Sequence, residues 1–168
     1  MNHKMITKSI LEHTEELTAL RRKLHSEPEL SWQEVNTTAF ICSYLENLGI
    51  PYRKTNPTGV IATIEGGLKG KIVALRGDMD ALSVEEINTD LPYASKEKGK
   101  MHACGHDAHT SMLLIAAKVL NEIKDELPGS VRLVFQPAEE VATGAKELVK
   151  QGAMEGVDNV FGLHIWSQ

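Results

Sequence analysis

The sequence has fewer basic than acidic residues, no long apolar run and only two cysteines. Acidic side chains outnumber basic ones, 23 to 18, so the formal net charge is −5, and no block of like charges occurs. Nucleic-acid-binding proteins usually present a basic stripe, so nucleic acid is not an expected partner. No run reaches the roughly 18 apolar residues of a membrane span, so no membrane partner is expected either. Residues 1–4 lead into polar, helix-like sequence without the apolar core of a secretory signal, which predicts a cytoplasmic protein.

The two cysteines are too few for a disulfide scaffold. Cys42 lies in an apolar helical run, Phe40–Cys42, and is interpreted as a core residue. Cys104 differs, because it lies among histidines and a glycine. The 168 residues are 42% hydrophobic and 24% charged, which is ordinary for one globular domain with a substantial core.

The hydrophobic pattern changes its period along the chain. Apolar residues at helical spacing predict helices, and short apolar or β-branched runs predict strands. The expected helices cover residues 6–24, 31–48, 108–123 and 143–151, and the expected strands cover residues 59–65, 71–76, 131–135 and 159–165. Ser31–Glu34 has the form of a capping box, and residues 83–100 are expected to form a loop. Strands that alternate with helices predict one α/β unit with a partly parallel sheet.

Carboxylate and imidazole side chains stand at the ends of three predicted strands or just beyond them. In open α/β sheets, ligand sites form at the carboxyl ends of the strands. We therefore expect groups that are far apart in sequence to converge at one edge of the sheet. These groups are Asp78 and Asp80 after the second strand, Glu139 and Glu140 after the third, and His164 in the last.

A dense cluster of potential metal ligands lies in Met101–Thr110 (MHACGHDAHT). The thiolate of Cys104 and the imidazole of His106 are good ligands for zinc and the later transition metals. Gly105 between them lets the backbone bend so that both can face one ion. His102, Asp107 and His109 complete the cluster. The alternative interpretation is a polar helix N-terminus capped by Asp107.

Glu139 and Glu140 form a second candidate. Adjacent side chains of an extended chain point in opposite directions, so one carboxylate could bind metal while the other acts as a base. Such a base would take a proton from water whose pKa a metal ion has lowered. The alternative is a solvated pair in front of the helix at residues 143–151, where the helix dipole favours acidic residues.

Two further candidates also have plain structural interpretations. His164 lies in an apolar strand, where a single histidine is most often a satisfied core residue. Asp78 and Asp80 share one side of an extended chain and could bind a cation or orient a metal-binding histidine, but they also fit a strand-ending turn. Together the candidates supply sulfur, imidazole and carboxylate ligands near strand ends, a coincidence that structural roles do not explain.

Five stretches, in order along the chain, carry a family resemblance. They are Leu20–Glu34 (LRRKLHSEPELSWQE), Ala74–Leu82 (ALRGDMDAL), Gly99–Ser111 (GKMHACGHDAHTS), Val134–Glu140 (VFQPAEE) and Phe161–Trp166 (FGLHIW). The sequence resembles the aminoacylase-type metallopeptidases of peptidase family M20, and within them the amidohydrolase subfamily. The resemblance implies a zinc-peptidase-like α/β catalytic domain of three layers, with a mixed, largely parallel sheet and helices on both faces. It also implies hydrolysis of the amide bond of N-acyl amino acids, which are small-molecule substrates.

The same resemblance implies a role for each residue that matches the family's motifs. It implies two divalent metal ions per complete site, Mn²⁺, Zn²⁺ or Co²⁺, and a water that they activate. The implied ligands are Cys104, His106, Glu140 and His164, the implied general base is Glu139, and Asp80 would orient the site. Asp78 stands where the wider family has a histidine ligand, and Ser83 stands where relatives usually have proline.

Members of the resembling family are much longer than this chain. They carry a lid domain, inserted in the catalytic domain, that helps them to form homodimers. After the lid, the chain returns to the catalytic domain and supplies a last histidine ligand. We therefore expect residues 1–168 to be the N-terminal part of the catalytic domain, without the lid and the C-terminal part. One alternative is an inactive fragment with residual metal or partner binding. Another is a nucleophilic Cys104 with His106 or His109 as its base.

Overall fold

The computed structural model describes residues 3–166, and their side chains from residue 6 onward. The chain begins with helices, continues with three strands and then alternates helices with strands. The helices are α1 (His3–Glu12), α2 (Thr14–Ser26), α3 (Val35–Asn47), α4 (His106–Glu122) and α5 (Gly144–Lys150), with a short 3₁₀ helix at Lys124–Glu126. The strands are β1 (Tyr52–Lys54), β2 (Val60–Glu65), β3 (Leu68–Asp78), β4 (Pro128–Gln136) and β5 (Asn159–Gly162). Among these described residues, no helix combines the length and the hydropathy needed to cross a bilayer.

The five strands form one mixed sheet in the order β1-β2-β4-β3-β5. β3, β4 and β5 run parallel to one another, while β1 and β2 form the antiparallel side. β2 and β3 follow each other in sequence but are separated in the sheet by β4, which crosses over through α4. The parallel half places three strand ends at the same edge, which is the arrangement expected from the sequence.

Helices cover both faces of the sheet, which confirms the three-layer α/β fold. Along β2, Val60, Ala62 and Ile64 are buried in the main core with residues of the first four helices. Ile61 points to the opposite face, where it packs with Leu148 of α5 in a smaller core. The alternation follows from the two-residue period of a strand, since successive side chains point to opposite faces.

Several predicted boundaries differ from the observed ones. The single helix expected over residues 6–24 is divided at His13, where the Thr14 hydroxyl donates to the Leu11 carbonyl at 2.7 Å and competes with helical hydrogen bonding. β1 was not predicted, because three residues carry too little periodicity. The last strand ends at Gly162, so His164 lies beyond it rather than within it. Cys42 is 3% exposed and belongs to the core, as expected.

The capping box predicted at Ser31–Glu34 is wrong. α3 begins at Val35, and neither Ser31 nor Glu34 caps it with a side chain. The Ser31 hydroxyl instead donates to the Asp80 carboxylate at 2.7 Å. The Glu34 carboxylate turns inward, where it accepts hydrogen bonds from the Thr58 hydroxyl and from a backbone amide of the segment after β4. Residues that resemble a helix start thus support the edge of the sheet.

Candidate metal centre

The candidate side chains converge where the parallel strands end. α4 begins at His106, directly over this edge, so its first residue faces the residues that follow β3 and β4. Among residues 3–166, three groups have ligand atoms within 4.8 Å of one another. They are Cys104 with His106 and His164, Asp78 with His106 and His109, and His106 with Glu139 and Glu140. His106 belongs to all three groups and is the centre of the cluster.

Gly105 lets Cys104 and His106 face the same space. Its φ of +86° is in the left-handed region, which an L-residue with a side chain rarely adopts. A Cβ atom at this position would also lie 2.4 Å from the Cδ1 atom of Ile165. Glycine is therefore needed for the backbone angle and for the close contact. The sequence predicts the bend at Gly105 but not the contact with Ile165.

His106 is fully buried, and only one of its ring nitrogens has a hydrogen-bond partner. Nδ1 lies 2.9 Å from the Asp80 carbonyl oxygen and 3.2 Å from its carboxylate Oδ1, so Nδ1 carries the proton and donates to Asp80. Nε2 then presents a lone pair, and it lies 3.7–3.8 Å from carboxylate oxygens of Asp78, Glu139 and Glu140. A lone pair that faces three carboxylates describes a site for a cation.

The buried polar atoms without partners fit a divalent ion. Among residues 3–166, Nε2 of His106 and Oε1 of Glu140 are both buried without a hydrogen bond, and they lie 3.7 Å apart. Two ligand atoms at about 2.1 Å from one ion, at a tetrahedral angle, are about 3.4 Å apart. A buried acceptor without a partner is costly, so two such atoms that face each other need an explanation. A shared metal ion supplies one, and the donor set of imidazole, carboxylate and thiol suits it.

The electrostatics of the pocket favour positive charge. Burial lowers the pKa of His106, but the hydrogen bond to Asp80 and the nearby carboxylates outweigh burial and raise it overall. Asp80 is itself held as an anion. Burial raises its pKa, yet hydrogen bonds from His106, from Ser31 and from the backbone of Glu140 together lower it. Asp80 thus fixes the ring of His106, the arrangement that commonly orients a metal-binding histidine.

Cys104 faces His164 across the mouth of the site. The Sγ atom lies 3.3 Å from Nε2 of His164, which is exposed and not a satisfied core residue. Burial, followed by the charges of Glu140 and Glu139, raises the pKa of Cys104 to about 11. A nucleophilic cysteine needs a lowered pKa, so the burial and the negative charges around Cys104 disfavour that alternative. The same negative charges favour a cation beside the sulfur.

In an extended chain the side chains of Glu139 and Glu140 would point in opposite directions, but here they do not. Residues 139–142 form a turn, in which the Ala142 amide donates to the Glu139 carbonyl at 2.7 Å. Ala138, just before the turn, has a φ of +51°, and its amide donates to Glu34 at 2.9 Å. The turn brings both carboxylates to His106, with side chains 38% exposed for Glu139 and 20% for Glu140. The two side chains can still take the expected separate roles of metal ligand and base, because they differ in exposure to solvent.

Two groups of side chains beside the predicted site have partners that the sequence did not predict. His109 and Asp78 form a hydrogen bond of 2.6 Å next to His106. Asp107 does not cap α4, because its carboxylate binds Arg21 and His25 of α2, each at 2.8 Å. The stretches that carry the family resemblance contain Arg21, His25, Asp78 and His109. That resemblance was the signal in the sequence that could have pointed to these residues. Their partners depend on tertiary packing, which the pattern does not encode.

Comparison with known proteins identifies the family. Residues 74–168, more than half of the chain, match the model of peptidase family M20/M25/M40. The chain is 53% identical over 150 residues to N-acetyl-L-cysteine deacetylase of Bacillus subtilis strain 168, which covers 89% of this chain and 36% of the relative. It is 44% identical over 169 residues to N-acyl-L-amino acid amidohydrolase of Geobacillus stearothermophilus, which covers 99% of this chain and 45% of the relative.

A solved structure agrees with these relatives. The crystal structure of a Bacillus subtilis protein, described as a dinuclear metal binding peptidase from the M20 family, matches with a TM-score of 0.87 and 47% identity. The match covers 90% of this chain and 43% of that one. The chain therefore belongs to peptidase family M20/M25/M40. It spans about two fifths of the length of the relatives that it matches.

Proposed function

We propose that this chain carries most of the active site of a metal-dependent amidohydrolase that cleaves N-acyl amino acids. The observation that carries the proposal is the unpaired Nε2 atom of His106, buried and facing three carboxylates. The relatives named as a deacetylase and an amidohydrolase of N-acyl amino acids support the reaction class. Amide hydrolysis at neutral pH needs an activated water and a polarised carbonyl, which such a site is built to supply.

The residues that would hold two divalent ions are those around His106. We assign Cys104, His106, Glu140 and His164 as ligands, and the crystal structure of the dinuclear relative supports the number of ions. Thiolate and imidazole ligands suit Zn²⁺ and Co²⁺, and carboxylates also admit Mn²⁺. The metal ions would lower the pKa of water and withdraw electron density from the substrate carbonyl.

Glu139 is the proposed general base. Its carboxylate is the more exposed of the pair and lies 3.8 Å from Nε2 of His106, so it can reach both the centre and an incoming substrate. Glu139 would accept a proton from the water as the water oxygen attacks the carbonyl carbon. It would then donate that proton to the amide nitrogen as the C–N bond breaks, which releases a carboxylic acid and a free amino acid.

The extent of the chain leads to a proposal about the complete enzyme. We propose that residues 1–168 form the N-terminal part of the catalytic domain, because the relatives are more than twice as long. A lid that helps to form a homodimer, and the rest of the catalytic domain with a last histidine ligand, would then lie outside these residues. A cytoplasmic location and the lack of nucleic-acid and membrane partners stay predictions from the sequence.

Metal titration of the chain tests the proposal. After dialysis against a chelator, the parent should bind Co²⁺, Zn²⁺ or Mn²⁺, and His106→Asn should bind at least about 10-fold more weakly. His13→Asn is the matched control, because His13 lies at the junction of α1 and α2, away from the site. The metal-loaded chain is then assayed for release of free amine from N-acetyl amino acids, with Glu139→Ala as the inactive reference. Equal metal binding by the parent and His106→Asn would refute the proposed site.

A second candidate function is metal binding without turnover. The observation that favours it is the exposure of apolar side chains on and after β5, with Phe161 60% exposed, Leu163 59% and Trp166 87%. A substrate needs to be positioned as well as activated, and this side of the site is open to solvent in the chain as it stands. Stoichiometric metal binding with no detectable amine release would favour this candidate.

A further inference from the structure

The side chain of His164 is exposed and lies beyond the last strand, so something else must fix its direction. Its ring nitrogens contact Sγ of Cys104 and the carbonyl oxygen of Ile165, and its ring meets the ring of His109 edge-on, with the ring centroids 4.8 Å apart. The backbone N–H of Ile165 donates to Nε2 of His109 at 3.0 Å. His109 belongs to α4 and is 3% exposed, so it is a rigid anchor for a segment that has no strand partner of its own.

The other nitrogen of His109 is held just as firmly. Nδ1 lies 2.6 Å from Oδ1 of Asp78, which is fully buried at the end of β3. The second oxygen of Asp78 accepts a hydrogen bond from Arg76 at 2.6 Å. Because Nε2 accepts from Ile165, the ring proton must be on Nδ1, where it donates to Asp78. A continuous chain of contacts therefore runs from β3 through His109 to the backbone beside His164.

Ile165 also touches the other half of the metal centre. Its Cδ1 atom would lie 2.4 Å from a Cβ placed on Gly105, so its side chain packs directly on that glycine. Gly105 separates Cys104 from His106. Ile165 is thus fixed by its backbone to His109 and by its side chain to the Cys104–His106 segment. A shift of Ile165 would move His164 relative to Cys104.

We propose that His109 is a positioning residue, which sets the direction of His164 through the backbone of Ile165, and that Asp78 fixes the ring of His109. The inference rests on the proposed function, in which His164 is a metal ligand. It assigns a purpose to Asp78, which stands where the wider family resembled by this chain has a histidine. Here the Asp78 carboxylate supports the proposed ligand His164 through His109 and Ile165, and does not itself need to bind the ion.

The geometry distinguishes this role from that of a further ligand. Asp78, His106 and His109 lie close enough to hold an ion. Both ring nitrogens of His109, however, already have hydrogen-bond partners, whereas Nε2 of His106 has none. The partners of His109, the Asp78 carboxylate and the Ile165 N–H, are not proposed ligands, so neither nitrogen has a lone pair left for a metal, whereas Nε2 of His164 faces the proposed ligand Cys104. His109 therefore supports the site and does not bind metal.

Two substitutions at one position separate its two hydrogen bonds. The amide of His109→Gln reaches the position of Nε2, so its oxygen can still accept from the Ile165 N–H. The amide of His109→Asn reaches only the position of Nδ1, so it can donate to Asp78 but leaves the Ile165 N–H unpaired. We expect His109→Gln to bind Co²⁺ within about 3-fold of the parent and His109→Asn to bind it about 10-fold more weakly or worse. The thiolate-to-cobalt absorption band should weaken in parallel.

A second readout needs no metal. In the metal-free protein, hydrogen exchange at the Ile165 amide should be slow in the parent and in His109→Gln, and faster in His109→Asn. If His109→Asn is too unstable to study, Ile165→Pro removes the same donor outside any helix or strand. Its control is Ile165→Leu, which keeps the N–H and an apolar side chain of the same size. Ile165→Pro should then show the weaker cobalt binding and Ile165→Leu should not.

The possible outcomes separate this inference from the function on which it rests. Equal cobalt binding and equal amide exchange in His109→Asn and His109→Gln would overturn the inference. Loss of one equivalent of cobalt in both variants would also overturn it, since His109 would then be a ligand. If His106→Asn binds cobalt like the parent, the proposed function itself fails, while the amide exchange still reports on the contact between His109 and Ile165.

Discussion

The Nε2 atom of His106 lies 3.7 Å from the Oε1 atom of Glu140, and both atoms are buried without a hydrogen-bond partner among residues 3–166. Glu140→Gln should therefore weaken Co²⁺ or Zn²⁺ binding at least about 10-fold, because a neutral amide is a poorer ligand. Glu139→Gln is the matched control and should leave the affinity nearly unchanged. Competition with a chromogenic chelator measures both. Equal losses in the two variants would contradict the separate roles of ligand and base.

Asp80→Asn should reduce metal affinity without direct loss of a ligand. Asp80 accepts hydrogen bonds from His106, Ser31 and the Glu140 amide, so it holds two proposed ligands in place. Residues that orient a ligand in this way typically contribute about 10–100-fold to affinity. Asp158→Asn is the control, since the Asp158 carboxylate accepts a hydrogen bond from the Ile72 amide in an exposed position near β5. Calorimetric titration should show the loss in the first variant alone.

Gly105→Ala and Gly49→Ala should separate backbone strain from steric contact. Both glycines have positive φ, +86° and +66°, so each alanine should cost about 1–2 kcal/mol of unfolding free energy. A Cβ added at Gly49 would meet no atom within 4 Å, whereas a Cβ at Gly105 would meet Ile165. Gly105→Ala should therefore be the more destabilising in urea and should also impair metal binding. If the two variants unfold alike, the packing of Ile165 on Gly105 is unimportant.

Glu34 should contribute to stability through its hydrogen bonds. It is fully buried, and it accepts from Thr58 at 2.7 Å and from the Ala138 amide at 2.9 Å. Burial raises its pKa, so a neutral side chain is tolerated. Glu34→Gln, which can still accept from Ala138, should be close to the parent. Glu34→Ala leaves a buried N–H unpaired and should lose about 1–3 kcal/mol or more in urea unfolding. Equal midpoints for the two variants would refute this account.

The His25 cluster predicts a dependence of stability on pH. The hydrogen bond with Asp107 raises the pKa of His25, burial opposes this, and Glu86 adds to the rise, while Arg21 and the buried His102 also face the ring. A raised pKa means that the stabilisation is fully present below about pH 6.5, the ordinary value, and is lost as pH rises through the higher folded-state value.

His25→Gln should therefore cost more unfolding free energy at pH 5.5 than at pH 9. Urea titrations with a chelator present measure this without interference from bound metal. A penalty that stays constant over this range, or that grows toward pH 9, would show that the ring does not gain charge on folding.

The sequence predicted the sheet edge better than it predicted what supports it. Asp78, Glu140 and His164 were expected to converge, because polar residues after parallel strands meet at one edge, and they do. The long apolar patterns of α4 and β4 also gave reliable elements. The strand β1 was missed because three residues carry too little periodicity, and the division of the first helix at His13 was missed because the hydrogen bond from Thr14 to Leu11 outweighs the helical pattern.

The turn after β4 shows why local rules fail at this site. Treating Glu139 and Glu140 as extended chain separated their side chains, yet the positive φ of Ala138 brings both to His106. That backbone angle is held by Glu34, more than a hundred residues earlier in the chain. A strained conformation fixed by a distant contact leaves no trace in a short sequence window. The same holds for His109, whose purpose depends on Ile165.

The contact between Cys104 and His164 joins parts of the chain that are 60 residues apart. β5 is the edge of the sheet, its four residues are exposed, and among the described strands it pairs with β3 alone. The proposed metal centre would therefore also hold β5, the margin of the sheet, to the rest of the fold. A metal ion that binds only when β5 is packed against β3 shifts the equilibrium toward that packed state. Metal occupancy would therefore determine how often β5 detaches from the sheet. Removal of the metal should make β5 detach more readily than any other described strand. The rate of proteolysis at β5 would then measure metal occupancy as directly as an assay of turnover would.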